Sequence, residues 1–372
     1  MSVQKLVTPG VRSLQPYQPG KPVEELEREL GISGIIKLAS NENPRGASPR
    51  VAEAIAHALS DLARYPDGSG YSLKSKLGSR LGVRPEQITL GNGSNDVLEI
   101  IARCFISSGD GVVISEHAFA VYYLASRAAG ANIVFTPAER YGHDLSEMRK
   151  AISASTRLIF IANPNNPTGT HLKSRELHAF LKDLPEEVIA VLDEAYVEYA
   201  DGMDHPDGIA LLNEFPNLIV TRTFSKAYGI AALRVGYAVA SEEITEILNR
   251  VRQPFNVNSL ALIAAEAALA DQRFVADSVR ENKEQLTRLA DACAELGLQT
   301  IPSAANFICV EVGPAAAAIY EAMLRLGVIV RPVANYGLPN HLRITVGTPE
   351  ENDRLIDTLR TAIDELAPSH RE

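Results

Sequence analysis

The chain has 372 residues, a length that suggests two or three domains, and its 46% hydrophobic and 22% charged residues are the balance of a globular protein and exclude a disordered one. Its formal net charge of −10 argues against general binding to nucleic acid or to anionic membranes, while leaving room for a local basic pocket. The three cysteines, Cys104, Cys293 and Cys309, sit in apolar stretches without CxxC spacing and read as core residues in a reducing compartment.

Residues 1–18 lack the apolar h-region of a signal peptide, and no apolar run reaches membrane-spanning length, so a cytoplasmic location is expected. Residues 1–35 read as an arm carrying Pro9, Pro16, Pro19 and Pro22, followed by a charged helix over 23–30. Such arms drape over neighbouring surfaces, and Tyr17 is an aromatic placed to anchor one. A short strand at 37–39 runs into the polar turn Ser40-Asn41-Glu42-Asn43-Pro44. Ser48 and Pro49 start a helix that reaches residue 59. A turn at 64–68 displays Tyr65, and a second amphipathic helix spans 71–81.

From residue 87 strands alternate with helix-length segments. Seven β-branched or apolar runs read as strands: 88–90, 112–115, 132–135, 158–162, 188–193, 218–221 and 236–240. The pattern predicts an α/β fold with a large, mostly parallel sheet covered on both faces. Ligands of such sheets bind outside the carboxyl ends of the strands, and the polar motifs all fall at those ends. Residues 241–297 read as helical, with a long helix over 273–296. Strands at 306–312, 328–333 and 342–346 and helices at 314–326 and 349–366 then form a smaller α/β unit. The expected division is an arm over 1–35, a large domain over 36–270 and a small domain over 271–372.

Four motifs carry chemistry. Gly91-Asn92-Gly93-Ser94-Asn95 lies between a strand and the helix expected at 97–105, where backbone N–H groups and the Ser94 hydroxyl can cradle a phosphate; alone, it is a plain Gly-rich turn. Asn163-Pro164-Asn165-Asn166-Pro167-Thr168-Gly169 displays carboxamides on a proline-stiffened loop. Asp193 ends an apolar strand, and a carboxylate buried there needs a cation. No nearby Lys or Arg in sequence supplies one, whereas a protonated ring nitrogen would; a metal is disfavoured because no His or Cys cluster accompanies it. Tyr196 follows three residues later. Finally, Thr223-Phe224-Ser225-Lys226 closes the next strand. A lysine at a strand mouth between hydroxyls suits an amine that must lose its proton and attack a carbonyl. Arg234, eight residues on, offers a planar fork for a phosphate.

Taken in order, Ser94, the NPNNPTG loop, Asp193 to Tyr196 and the SKAYGIAALRVGY segment resemble the fold-type I pyridoxal-phosphate aminotransferases over nearly the whole chain. The stretches LASNENP, RYPDG, EHAFAVYYLA, VIVRPVANYGLP and HLRITVGTPEEN are similar to those of the histidinol-phosphate aminotransferase family within them. The resemblance implies pyridoxal 5'-phosphate as cofactor, joined to Lys226 as a Schiff base, with Lys226 later moving a proton between the substrate Cα and the cofactor. It implies Asp193 at the ring nitrogen and Asn166 and Tyr196 at the ring 3-oxygen. Phe119 would lie on the ring face. Ser94, Asn95, Thr223, Ser225 and Arg234 would hold the cofactor phosphate. Tyr65 would reach the phosphate of the cofactor held by the other subunit, which implies a homodimer. For the substrate it implies Tyr17, Asn43, Asn256, Arg331 and Arg343, with Arg343 gripping the carboxylate of glutamate or 2-oxoglutarate and Arg331 the phosphate of histidinol phosphate. Aromatic amino-acid aminotransferases share the VIVRP and RITVGT segments and stand as the alternative. A decarboxylase of an O-phosphorylated amino acid is a further alternative on the same fold.

Overall fold

The computed structural model describes residues 3–17 and 20–366. A seven-stranded sheet runs in the spatial order Ile88–Gly91, Gly236–Val239, Leu218–Thr223, Ile189–Asp193, Thr156–Ala162, Gly111–Ser115, Asn132–Thr136. Gly236–Val239 is antiparallel to both of its neighbours, and every other pairing is parallel. The carboxyl ends of the remaining six strands therefore share one edge, which gathers all four motifs there.

The alternation of side chains along each strand divides the apolar residues between two cores. Ile159, Ile161, Ala190, Leu192, Leu218 and Val220 face one core; Leu158, Phe160, Ala162, Val191 and Ile219 face the other. The same parity puts Asp193 and Thr221 on the second face, toward the helix Ala120–Ala128.

A second sheet is antiparallel, in the order Gln299–Ile301, Phe307–Glu311, His341–Thr345, Arg331–Pro332. The helices Gln272–Glu295, Ala316–Arg325 and Pro349–Leu366 accompany it around a third core that includes Leu289, Ile319, Val310 and Leu355. The run expected as one strand over 328–333 divides in two. Val328–Ile329 pairs in parallel with Ile36–Lys37, while Arg331–Pro332 joins the four-stranded sheet. Ile36–Lys37, read as the start of the large domain, thus packs on the C-terminal unit, as does the helix Val23–Leu30 through Leu26 against Leu324 and Ile329.

One further difference and one expected contact bear on the site. The helix expected from residue 97 begins at Ser94, because Asp96 accepts from the Asn92 N–H at 2.8 Å and turns the polar triplet into the first helical turn. The N-terminal arm lies along the helix Ala120–Ala128. Gly10 touches the Arg127 carbonyl so closely that a Cβ there would lie 2.1 Å from it, and Arg127 Nε donates to Ser13 Oγ at 3.2 Å. This contact carries Tyr17 toward the small unit. Among the described residues no helix is long and apolar enough to cross a membrane.

Candidate active site

A cavity of about 180 Å³ opens where the strand ends meet the small unit, and it brings together most of the residues singled out by sequence: Tyr17, Ser94, Asn95, Phe119, Asn166, Asp193, Tyr196, Thr223, Ser225, Lys226, Arg234, Arg331 and Arg343.

Lys226 Nζ donates to the Ser40 carbonyl at 3.0 Å and lies 5.6 Å from the centre of the Tyr196 ring. Burial, with Arg343 and Arg234 adding positive charge, lowers its pKa to about 7. A lysine so placed is largely or half neutral at physiological pH, which makes it a nucleophile rather than a surface charge.

Asp193 is buried, and its partners are hydroxyls. Tyr122 donates to Oδ2 at 2.6 Å and Thr221 to Oδ1 at 3.0 Å. Thr221 reaches it because the two are register partners on adjacent parallel strands. Burial pushes the carboxyl pKa up, while the bonds from Tyr122, Thr221 and the Ala195 backbone N–H pull it down. A carboxylate held this way gains from a proton-bearing ring nitrogen entering the cavity.

Tyr196 accepts from Asn41 Nδ2 at 2.8 Å, and burial pushes its phenol up to about 12. It therefore stays a proton donor. Arg343 donates to Asn166 Oδ1 at 2.5 Å and to the Ala39 carbonyl at 2.9 Å. That bond takes the carbonyl side of the Asn166 amide, leaving its N–H side for another acceptor. The Asn163–Pro164 and Asn166–Pro167 peptides are both cis. Asn163 and Asn165 spend their amides inside the loop and its surroundings, on Leu172, Thr168 and the His117 carbonyl.

Three segments converge at the start of the helix Ser94–Phe105, whose preceding residue, Gly93, gives it no side-chain cap. A Cβ on Gly93 would lie 2.3 Å from Arg234 Nη2, and a Cβ on Gly236 would lie 2.2 Å from the Ser94 N. Only glycines allow this approach. Arg234, itself at φ 58°, donates to Ser225 Oγ at 3.2 Å. Open helical N–H groups, hydroxyls and a guanidinium together form an anion site suited to a phosphate. The donor set thus fits pyridoxal phosphate at three points: an amine for the aldehyde, a carboxylate for the ring nitrogen and a cradle for the phosphate.

Three expected residues stand elsewhere. Asn43, read as a substrate contact, donates to the Ala227 carbonyl at 2.9 Å and to Ser278 at 3.2 Å, bracing the turn after Lys226. Asn256 donates to Asp96 Oδ2 at 2.7 Å and to the Leu90 carbonyl at 3.2 Å, bracing the phosphate cradle from behind. Both amides are consumed by the fold because their loops are closed by them. Tyr65 is 82% exposed and stacks on Phe255 at 4.7 Å, away from this cavity within its own chain. Sequence reasoning missed Ser40, Asn41, Tyr122, Thr221 and Tyr336. Tyr122 and Asn41 lay inside stretches already noted, EHAFAVYYLA and LASNENP, but nothing local marks them as partners of Asp193 and Tyr196.

Residues 33–359 match the family model for aminotransferase class I and II. The chain is 56% identical over 360 residues to histidinol-phosphate aminotransferase 2 of Pseudomonas fluorescens, covering 96% of this chain and 97% of that one. The crystal structure of histidinol-phosphate aminotransferase from Sinorhizobium meliloti in complex with pyridoxal-5'-phosphate superposes with a TM-score of 0.89 at 32% identity, over 97% of this chain and 98% of that one. L-threonine-O-3-phosphate decarboxylase from Porphyromonas gingivalis is also similar, with a TM-score of 0.79 at 26% identity over 89% of this chain and 100% of that one.

Proposed function

The chain belongs to the class I and II aminotransferases, and from that premise we propose that it is a pyridoxal-phosphate-dependent enzyme of histidine biosynthesis. It interconverts L-histidinol phosphate plus 2-oxoglutarate with imidazole-acetol phosphate plus L-glutamate, the amino group passing between histidinol phosphate and 2-oxoglutarate. The observation that carries the substrate is the pairing of Arg331 with Arg343. The two are Cα partners on adjacent antiparallel strands, and both are buried in the cavity wall. Two guanidiniums side by side on one face of the sheet match the charge and the several oxygens of a phosphate better than the single charge of a carboxylate.

Pyridoxal phosphate, when bound, supplies the aldehyde carbon that takes up the amine and the ring that accepts electrons from the substrate Cα. Lys226 would hold the cofactor through that carbon and would serve as the base for the substrate Cα proton. Asp193 would keep a proton on the ring nitrogen. Tyr196 and the N–H side of Asn166 would donate to the ring 3-oxygen, and Phe119 would pack against the ring. Ser94, Asn95, Thr223, Ser225 and Arg234 would hold the cofactor phosphate. Arg343 serves the carboxylate of glutamate and 2-oxoglutarate, whereas Arg331, with the Tyr17 ring 5.8 Å from its guanidinium carbon, takes the phosphate of histidinol phosphate.

The working form is a homodimer in which exposed Tyr65 reaches the cofactor phosphate of the partner, and three free cysteines suit the cytoplasm. Titration of the yellow holoenzyme with histidinol phosphate, in the absence of a keto acid, tests the assignment. Conversion of the visible band to the pyridoxamine spectrum at low substrate is expected. An unchanged band on cofactor-loaded protein would sink it and favour an aromatic amino-acid substrate, with phenylalanine as the comparison.

A further inference from the structure

The cavity holds a phenol that the roles above do not use. Tyr336 ends the short turn Ala334–Tyr336 and is followed by Gly337 at φ 76°. Its side chain is 5% exposed, packs in a small cluster with Ile301, Cys309, Val333 and Leu338, and lines the cavity with Tyr17, Arg331 and Arg343.

The turn is pinned from the large domain. His117, two residues beyond the strand Gly111–Ser115, lies 2.7 Å through Nδ1 from the Tyr336 carbonyl. A carbonyl only accepts, so Nδ1 carries the proton. A Cβ on Gly337 would lie 3.3 Å from the His117 ring, so glycine is what lets the imidazole sit under the turn. Asn165 fixes His117 in turn by donating to its carbonyl at 2.7 Å. The phenol is thus placed by both units of the fold.

We propose, resting on the function assigned above, that Tyr336 is a specificity-determining residue whose hydroxyl donates a hydrogen bond to the phosphate of the substrate. Arg343 alone matches the two oxygens and single charge of a carboxylate. A phosphate dianion brings a third oxygen and a second charge, and it needs Arg331 and a further donor. Tyr336 stands among those two arginines and Tyr17. Burial raises its pKa, against a smaller lowering by the Asn335 side chain, so the phenol keeps the proton it would donate. The residue would separate tetrahedral phosphate from planar carboxylate at one site.

The test is Tyr336→Phe in the holoenzyme, which keeps the ring and removes one oxygen. Binding of L-histidinol phosphate, L-histidinol and L-glutamate is measured by loss of the visible band. The affinity for histidinol phosphate is expected to fall about tenfold relative to the other two, the scale of one hydrogen bond to a charged group. Equal loss on all three, or no loss, overturns the proposal. Should the wild type ignore histidinol phosphate, the assigned reaction fails instead. Inorganic phosphate as an inhibitor of the glutamate half-reaction then decides Tyr336 separately. Inhibition about tenfold weaker in the variant supports the contact, whereas equal inhibition in both proteins, or none in the wild type, overturns it.

Discussion

Tyr122 donates to Oδ2 of Asp193 at 2.6 Å, from the helix packed beneath the sheet to the carboxyl end of a central strand. Tyr122 also stacks on Phe160 with ring centroids 4.8 Å apart, so the donor cannot swing away. The carboxylate is therefore aimed before any ligand arrives, and preorganisation of this kind costs nothing at the moment of reaction. Tyr122→Phe should lower kcat by about tenfold or less, on the scale of one charge-assisted bond, and should weaken retention of the cofactor. Equilibrium dialysis of pyridoxal phosphate alongside kinetics checks both.

Asp193→Asn should be far more damaging than Tyr122→Phe. A neutral amide cannot hold a proton on the ring nitrogen, and its loss removes the electrostatic basis of the ring's electron demand. A variant within tenfold of wild-type turnover would make Asp193 a structural residue.

Lys226→Ala should abolish turnover and leave the cofactor bound only through its phosphate and ring contacts. Borohydride reduction followed by peptide mapping should label Lys226 in the wild type and nothing at that position in the variant.

The depressed pKa of Lys226, about 7 against an ordinary 10.5, fixes the sign of a pH dependence. Below the folded value the amine is protonated and cannot attack a carbonyl. Covalent capture of pyridoxal phosphate by the apoprotein should therefore rise as pH increases through about 7 and level off above it. An unperturbed lysine would keep rising toward pH 10. Because Arg343 is the leading positive neighbour in lowering that pKa, Arg343→Gln should move the midpoint upward. Rates of absorbance change across pH measure it.

Arg331→Ala should weaken histidinol phosphate much more than phenylalanine, because removing one guanidinium strands a phosphate charge but no part of a benzyl side chain. Specificity constants on the two substrates decide this, and equal loss would count against the phosphate role.

Neither Tyr65→Ala nor Lys226→Ala homodimers should turn over at the wild-type rate. Mixing the two should restore one intact site per heterodimer if Tyr65 acts across the interface. Absence of recovery in a mixture shown to exchange subunits would show that Tyr65 does not act across the interface.

The sequence alone determined the elements and the chemistry at their ends. Buried β-branched runs cannot be solvated strands, so their alternation with helices dictated a covered, mostly parallel sheet, and a lysine and a carboxylate at strand mouths announced a site. Lys226, Asp193 and Arg234 were legible only together: an isolated Ser-Lys pair with a following arginine reads as solvated surface, and it is the set of motifs at successive strand ends, in one order, that marks a site. Tertiary structure decided the partners. Tyr122 meets Asp193 across 71 residues and Asn41 meets Tyr196 across 155, and no local pattern encodes a contact closed by packing two elements together. Register decided the rest. Arg331 and Arg343 share one face only because their strands pair at those two residues, and a slip of one position would have sent one guanidinium to the opposite side. Asn43 and Asn256 show the reverse case, polar residues beside the site whose amides the fold itself consumes, because a buried amide takes whichever hydrogen-bond partner the closed structure brings to it.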